Sequence, residues 1–339
     1  MSHAKPSPLW EQSQHRYDRS MDLWSNKRFL VTGGAGFVGT ALCDKLAARG
    51  ASDVVIARSR DYDLTHQPDV EKLFAEVAPE VVIHLAARVG GIGANLEHPA
   101  ELYISNLLMG TYVIEEARRR EVGKTVLLGT ICAYPKFTPV PFKEEDLWNG
   151  YPEETNAPYG VAKKALLVHA QSNWAQYGQK LIYLLPTNLY GPGDKFNAAV
   201  SHVIPALIKK CVEAKERGDV EIDVWGTGKA TREFLYVDDA AEAIALATER
   251  YDSPEPVNLG SGEEVPIKEL AELIACLSGF EGRLHWDPSR PDGQPRRSLD
   301  TTRAERSFGF TAKVGLEEGL RRTIDWYEAH REEAEAATI

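Results

Sequence analysis

The sequence predicts an α/β fold, a doubly wound parallel sheet joined to a smaller, discontinuous second domain. Three observations carry that prediction. From residue 27 to residue 186, continuous apolar runs rich in β-branched residues alternate with amphipathic helical stretches. A glycine-rich turn, "GGAGFVG" (33–39), joins the first run to the first helix. After Pro186 the alternation stops and short, turn-rich segments take over.

The elements follow in order. "RFLVTG" (28–33) reads as a strand, and "FVGTALCDKLAARG" (37–50) as a helix closing on a glycine. Strand "DVVIA" (53–57), helix "DVEKLFAEVAP" (69–79) and strand "EVVIHLA" (80–86) come next. A long helix covers about 99–120, followed by strand "KTVLLG" (124–129), a helix over 159–178 and strand "KLIYLLP" (180–186). Strands that are apolar throughout, rather than alternating, belong to parallel sheets covered on both faces. Beyond Pro186, "NLYGPGDKFN" (188–197) reads as a loop, 198–217 as a helix, and "EIDVWGTGKATREFLYV" (221–237) as two short strands around a glycine turn. Helix "VDDAAEAIALATER" (237–250) returns to the main sheet; a helix over 266–279, strand "GRLHW" (282–286), a loop over 287–300 and terminal helices complete the chain. The expected organisation is an extension at 1–25, a sheet domain at 26–187 that 236–258 rejoins, and a second domain from 188–235 and 259–339.

The 339 residues are 43% apolar and 26% charged, enough for one large core or a large and a small one. A net charge of −11 without a basic stripe argues against nucleic acid as partner, so the positive contacts of any phosphate ester must be local. Cys43, Cys132, Cys211 and Cys276 are widely spaced and form no CxxC or Cys/His cluster, which points to a reducing cytoplasm and no metal site. No apolar run approaches the roughly 18 residues of a membrane span. Residues 1–25 lack a signal-peptide core and read as a loosely docked extension.

Gly33, Gly36 and Gly39, with Gly34, Ala35, Phe37 and Val38 between them, sit where a Rossmann fold cradles a dinucleotide pyrophosphate. The second strand ends in Arg58-Ser59-Arg60, where a carboxylate would favour NAD and arginine favours the 2′-phosphate of NADP(H). Asp63 and Leu64 follow at the adenine end. The carboxyl ends of the later strands supply the remaining cofactor candidates: Leu85, Ala86 and Ala87, then Leu128 and Gly129, then Pro186, Asn188 and Leu189. Two solvated surface arginines are the alternative reading of Arg58 and Arg60.

"YGVAK" puts Tyr159 and Lys163 four apart on one helix face. A phenol titrates near 10; the neighbouring ammonium and a nicotinamide charge would lower it, letting Tyr159 protonate a carbonyl oxygen. Thr130 at the fourth strand's end supplies a hydroxyl for the same oxygen. Two residues on, in "GTICAYPK" (129–136), stands Cys132, which the residues alone leave as either a packed small hydrophobe or a reactive thiol. His202, ahead of "VIPAL", is equally open to a capping role.

These motifs resemble those of the extended short-chain dehydrogenase/reductases, and among them the GDP-L-fucose synthases. The likeness rests on "HLAARVGGIGAN" (84–95), "GTICAYPK", "EETNAPYGVAK" (153–163), "PTNLYGPGDKF" (186–196), "SHVIPALIKK" (201–210), "WGTGKATREFLYVDD" (225–239) and "PDGQPRR" (291–297). The resemblance implies an NADPH-dependent enzyme that inverts C3 and C5 of GDP-4-keto-6-deoxy-D-mannose and then reduces C4. It makes Cys132 and His202 the proton carriers, Tyr159, Lys163 and Thr130 the reductive set, and Asn188, Lys210, Trp225, Arg232, Asp292 and Arg297 the substrate contacts. It also implies a homodimer built on the 99–120 and Tyr159 helices, with Leu166, Leu167 and Ala170 either at that seam or in the core. Thr130 stands where these synthases carry serine, and Lys210 where they commonly carry arginine. Other GDP-4-keto sugars, of colitose or deoxyheptose type, and a non-catalytic dinucleotide-binding protein are the competing readings.

Overall fold

The computed structural model describes residues 23–197, 200–290 and 292–336. The extension expected over 1–25 lies outside them except at its end, and that end is firmly docked. Trp24 is buried and stacks on Phe29, with ring centroids 5.5 Å apart. Two large apolar rings removed from water hold the chain to the sheet's first strand.

The alternating half builds β1 (Arg28–Thr32), α1 (Phe37–Ala48), β2 (Asp53–Ala57), α2 (Gln67–Val77), β3 (Val81–His84), α3 (Ile92–Glu97), α4 (Pro99–Arg119), β4 (Lys124–Leu128), α5 (Ala157–Tyr177) and β5 (Leu181–Pro186). There follow β6 (Asn188–Tyr190), α6 (Val203–Arg217), β7 (Glu221–Trp225), β8 (Thr231–Tyr236), α7 (Val237–Arg250) and β9 (Val257–Leu259). Then come β10 (Glu264–Pro266), α8 (Ile267–Ser278), β11 (Arg283–Asp287), α9 (Thr302–Phe308), α10 (Leu316–Ala329) and α11 (Arg331–Ala336).

Six parallel strands form the main sheet in the order β2-β1-β3-β4-β5-β9. Every residue of β3 and β5 is buried, because helices cover both faces. Alternation along β1 divides the cores. Phe29 and Val31 pack with Leu42, Leu46 and Ile244 on the side of α1 and α7. Leu30 packs with Leu73, Val82 and Val113 on the side of α2 and α4. Strand order reverses between β1 and β3, which opens a crevice above their carboxyl ends.

A further core joins α6, α8 and α10 through Ile208, Ile274 and Leu320. Here three expectations change. Residues 188–190 are a strand, paired in parallel with β8, where a loop was expected; Thr187 Oγ1 and Asn188 Nδ2 both donate to Glu233 O, at 3.1 and 2.8 Å, and hold that edge. β7 and β8 do not form a hairpin, since β7 pairs with β11 and β8 lies between β6 and β10. The helix expected over 198–217 begins, within the described residues, at Val203. Pro205 has no N–H to continue an earlier helix, but is tolerated in the first turn, where that donor would be unpaired. His202 therefore precedes the helix in extended conformation (φ −81°, ψ 176°).

Candidate active site

The crevice above β1, β3 and β4 extends beneath β8 as one cleft of about 1330 Å³. That exceeds the roughly 300–1,000 Å³ of a single-ligand site and suits two ligands side by side. All five catalytic candidates, all six substrate-contact candidates and every cofactor candidate but Gly34 line it. Gly34 turns away, toward Ile56 of β2.

The phosphate turn is built for an anion. Gly36 N donates to Gly33 O at 3.0 Å, and a Cβ on Gly39 would stand 2.1 Å from that same oxygen. No side chain caps the start of α1, so its first N–H groups face the cleft with the helix dipole behind them. Arg58 and Arg60 are exposed at the far end, with Arg60 Nε 3.6 Å from Asp61. Asp63 Oδ1 accepts from Thr65 N at 2.9 Å and Thr65 Oγ1 at 2.7 Å. Those bonds hold its carboxyl below the usual range and shape the entry to α2. The residues thus fit a dinucleotide bearing a 2′-phosphate.

The spacing of Thr130 and Cys132 has a local cause. Thr130 precedes a single 3₁₀ turn, Ile131–Ala133, and its Oγ1 accepts from Cys132 N at 3.2 Å. The cap pins the threonine hydroxyl and the cysteine to one turn beyond β4. Tyr159 sits in the first turn of α5 with its phenol within reach of the Thr130 hydroxyl. Burial, reinforced by Cys132, raises the phenol above its ordinary value, and the Thr130 bond only partly offsets this. Burial dominates here, and Tyr159 holds its proton as a neutral donor. Lys163 Nζ donates to Leu128 O at 2.9 Å, and burial lowers its pKa to about 8. Helix and turn meet closely at Gly160, where a Cβ would lie 2.3 Å from Cys132 O.

His202 lines the same cleft from the segment just ahead of α6. Gly91 N donates to Val200 O at 3.2 Å, so the glycines of the "VGGI" segment dock the chain just ahead of the imidazole. The ring is open to the cleft, while protein on a longer scale and the charge of Lys195 push its pKa below the ordinary value. At neutral pH it is a neutral imidazole, with one nitrogen to accept and one to donate.

Several substrate candidates are already engaged. Arg232 is buried and donates to Gln294 O (2.6 Å), Thr231 O (2.7 Å) and Asp292 O (2.9 Å). Burial, followed by the like charge of Arg297, lowers its pKa to about 9. Asp292 accepts from Thr227 N and Oγ1, each at 2.7 Å, and fixes the turn between β7 and β8. Asn188 gives its amide to Glu233 O. Lys210 Nζ donates to Asp223 O at 2.7 Å beside the cleft. Trp225, half exposed, carries Arg290 4.8 Å from its ring centroid. Two cleft residues escaped the sequence reading. Asp194 is buried, accepts from Lys195 N at 2.7 Å, and is raised by burial to about 7; its Oδ2 has no partner among the described residues. Gln294 is buried and ties the 292–297 loop to Pro135 O and Lys136 O. A charged pair inside "GPGDKF" was the available signal for the first; nothing local marks the second.

A model of the NAD dependent epimerase/dehydratase family matches residues 29–260. GDP-L-fucose synthase 1 of Arabidopsis thaliana is 45% identical over 300 residues, covering 88% of this chain and 93% of that protein. Among solved structures, a GDP-6-OMe-4-keto-L-xylo-heptose reductase from C. jejuni aligns with a TM-score of 0.84 at 30% identity, covering 90% of this chain and 98% of that one. A GDP-L-fucose synthetase from Naegleria fowleri bound to NADP aligns with a TM-score of 0.83 at 28% identity, covering 92% and 97%.

Proposed function

Because the chain belongs to the NAD dependent epimerase/dehydratase family, we propose that it is a nucleotide-sugar epimerase/reductase of the GDP-L-fucose synthase type. Its substrate on this reading is GDP-4-keto-6-deoxy-D-mannose. One observation carries the proposal: Thr130 and Tyr159, suited to polarise a ketone, share a cleft with two proton carriers, Cys132 and His202. A plain reductase needs only the first pair. Inversion next to a ketone needs a base on one face of the sugar and an acid on the other.

The phosphate turn and Arg58 and Arg60 would hold NADP(H), and NADPH when bound supplies the hydride. The chain's own residues do the rest. Thr130 and Tyr159 hold the C4 oxygen while charge accumulates on it, as an enolate during inversion and as an alkoxide during reduction. Cys132 and His202 exchange protons with C3 and C5 from opposite faces. Tyr159 delivers the final proton to the C4 oxygen, and Lys163 stands behind it as the nearby cation. Lys210 and Trp225 receive the nucleotide end, while Arg232 and Asp292 shape the loop over it.

The test is NMR in D2O with this substrate. Deuterium at C3 and C5 without NADPH, then GDP-L-fucose once NADPH is added, is the expected outcome. Reduction with no deuterium would make the protein a simple 4-reductase. The likeness to the C. jejuni heptose reductase supports a second reading, the same chemistry on a GDP-4-keto-heptose, which the same experiment resolves by substrate.

The main sheet serves as the cofactor domain and the α6/α8/α10 core as the substrate domain. No described helix is long and apolar enough to cross a membrane, and the cytoplasm, where nucleotide sugars are made, is the proposed location. A homodimer through α4 and α5 is also part of the proposal. Leu166, Leu167 and Ala170 are buried within the chain, so its seam would use the exposed Ile104 and Val168.

A further inference from the structure

Two buried arginines border the catalytic turn, and their donors are spent differently. Arg232 gives its guanidinium to three backbone carbonyls and acts as a latch on the 292–297 loop. Arg297 is only 6% exposed; its Nε donates to Gln294 Oε1 at 2.8 Å, and its Nη1 points at Cys132 Sγ from 3.6 Å. Gln294 in turn donates to Pro135 O and Lys136 O, at 3.3 and 2.8 Å, on the very loop that carries Cys132. Cation and sulfur are therefore tied to one another through a buried amide. A guanidinium N–H is a poor partner for a neutral thiol and a good one for a thiolate.

We propose that Arg297 is a positioning residue that holds the Cys132 sulfur in its anionic, proton-accepting form. The inference rests on the reading of Cys132 as a proton carrier. In each inversion the sugar C–H bond breaks and an S–H bond forms. The freed electron pair moves onto the C4 oxygen as an enolate. His202, protonated from solvent, then gives the proton that makes the new C–H bond on the other face, and loss of the S–H proton to solvent readies the pair for the second carbon. Arg297 stabilises the sulfur's charge before transfer and keeps Sγ aimed at the carbon.

Three variants test this: Arg297→Met, Arg297→Lys and Cys132→Ala. Three readouts apply: alkylation of Cys132 by iodoacetamide followed by mass spectrometry, deuterium uptake at C3 and C5 without NADPH, and binding of GDP. Arg297→Met is expected to slow both alkylation and deuterium uptake by roughly 10- to 100-fold, whatever its effect on GDP binding. Arg297→Lys, which keeps the charge and the fold, is expected to recover part of both rates. Weakened GDP binding with alkylation at the wild-type rate, in either variant, would overturn the proposal and return Arg297 to the diphosphate. Unchanged deuterium uptake in Cys132→Ala would instead remove the premise, a failure the alkylation readout keeps separate from the first.

Discussion

Gly160→Ala puts the contact between the Tyr159 helix and the Cys132 turn under test. Gly160 follows Tyr159 in the first turn of α5 and lies directly over the turn that carries Cys132. An alanine Cβ would meet Cys132 O at 2.3 Å and Cys132 C at 2.9 Å. Both are backbone atoms, so no flexible side chain can step aside. Helix and turn must separate by about 1 Å to reach ordinary van der Waals contact. Overpacking of this kind costs about 1–3 kcal/mol, and alanine's better helix propensity returns about 1 kcal/mol. The net loss of roughly 0–2 kcal/mol is small for a core of this size. The catalytic effect is larger, because Tyr159 rides on the helix and Cys132 on the turn. A displacement of about 1 Å is expected to reduce turnover roughly 100-fold. NADPH oxidation and deuterium uptake, read beside thermal unfolding, separate the two effects. A folded Gly160→Ala protein working at the wild-type rate would refute the claim that this contact sets the spacing of the site.

Replacing Arg58 and Arg60 by alanine is expected to weaken NADPH binding roughly 10- to 100-fold while leaving NADH binding unchanged; titration with each cofactor decides it. Lys163, lowered to about 8, binds fewer protons folded than unfolded between there and its unfolded value near 10.4. Its contribution to stability therefore rises with pH across that window. Urea unfolding of the cofactor-free protein should show the wild type gaining on Lys163→Met from about pH 8 to about pH 10. Asp194 has the opposite sign. Raised to about 7, it favours the folded state at low pH and loses that contribution as pH climbs from about 4 to about 7. Comparison with Asp194→Asn over that range should show the wild-type advantage shrinking, and a flat difference would mean that water reaches the carboxylate.

Geometry set by neighbours in the chain is legible from residue order alone. A spacing of four on a helix puts Tyr159 and Lys163 on one face, and a threonine two residues before Cys132 can cap the turn between them. Apolar runs without alternation announce a parallel sheet. Glycine at 33, 36 and 39 announces a turn that no Cβ can enter, because these preferences are steric and local. The partners chosen across the fold are hidden at that level. Composition cannot say that β7 joins β11 rather than β8, or that Pro205 moves the start of α6 until His202 lies outside it. Nor can it separate an arginine for phosphate from one for sulfur. Arg297 and Cys132 are 165 positions apart, and the contact exists because Gln294 and Arg232 together seat the 292–297 loop. A side chain's type and its neighbours in the chain determine what it can do locally. Which group it faces is decided by the packing of distant segments, and at Arg297 that packing directs a cation to the thiol.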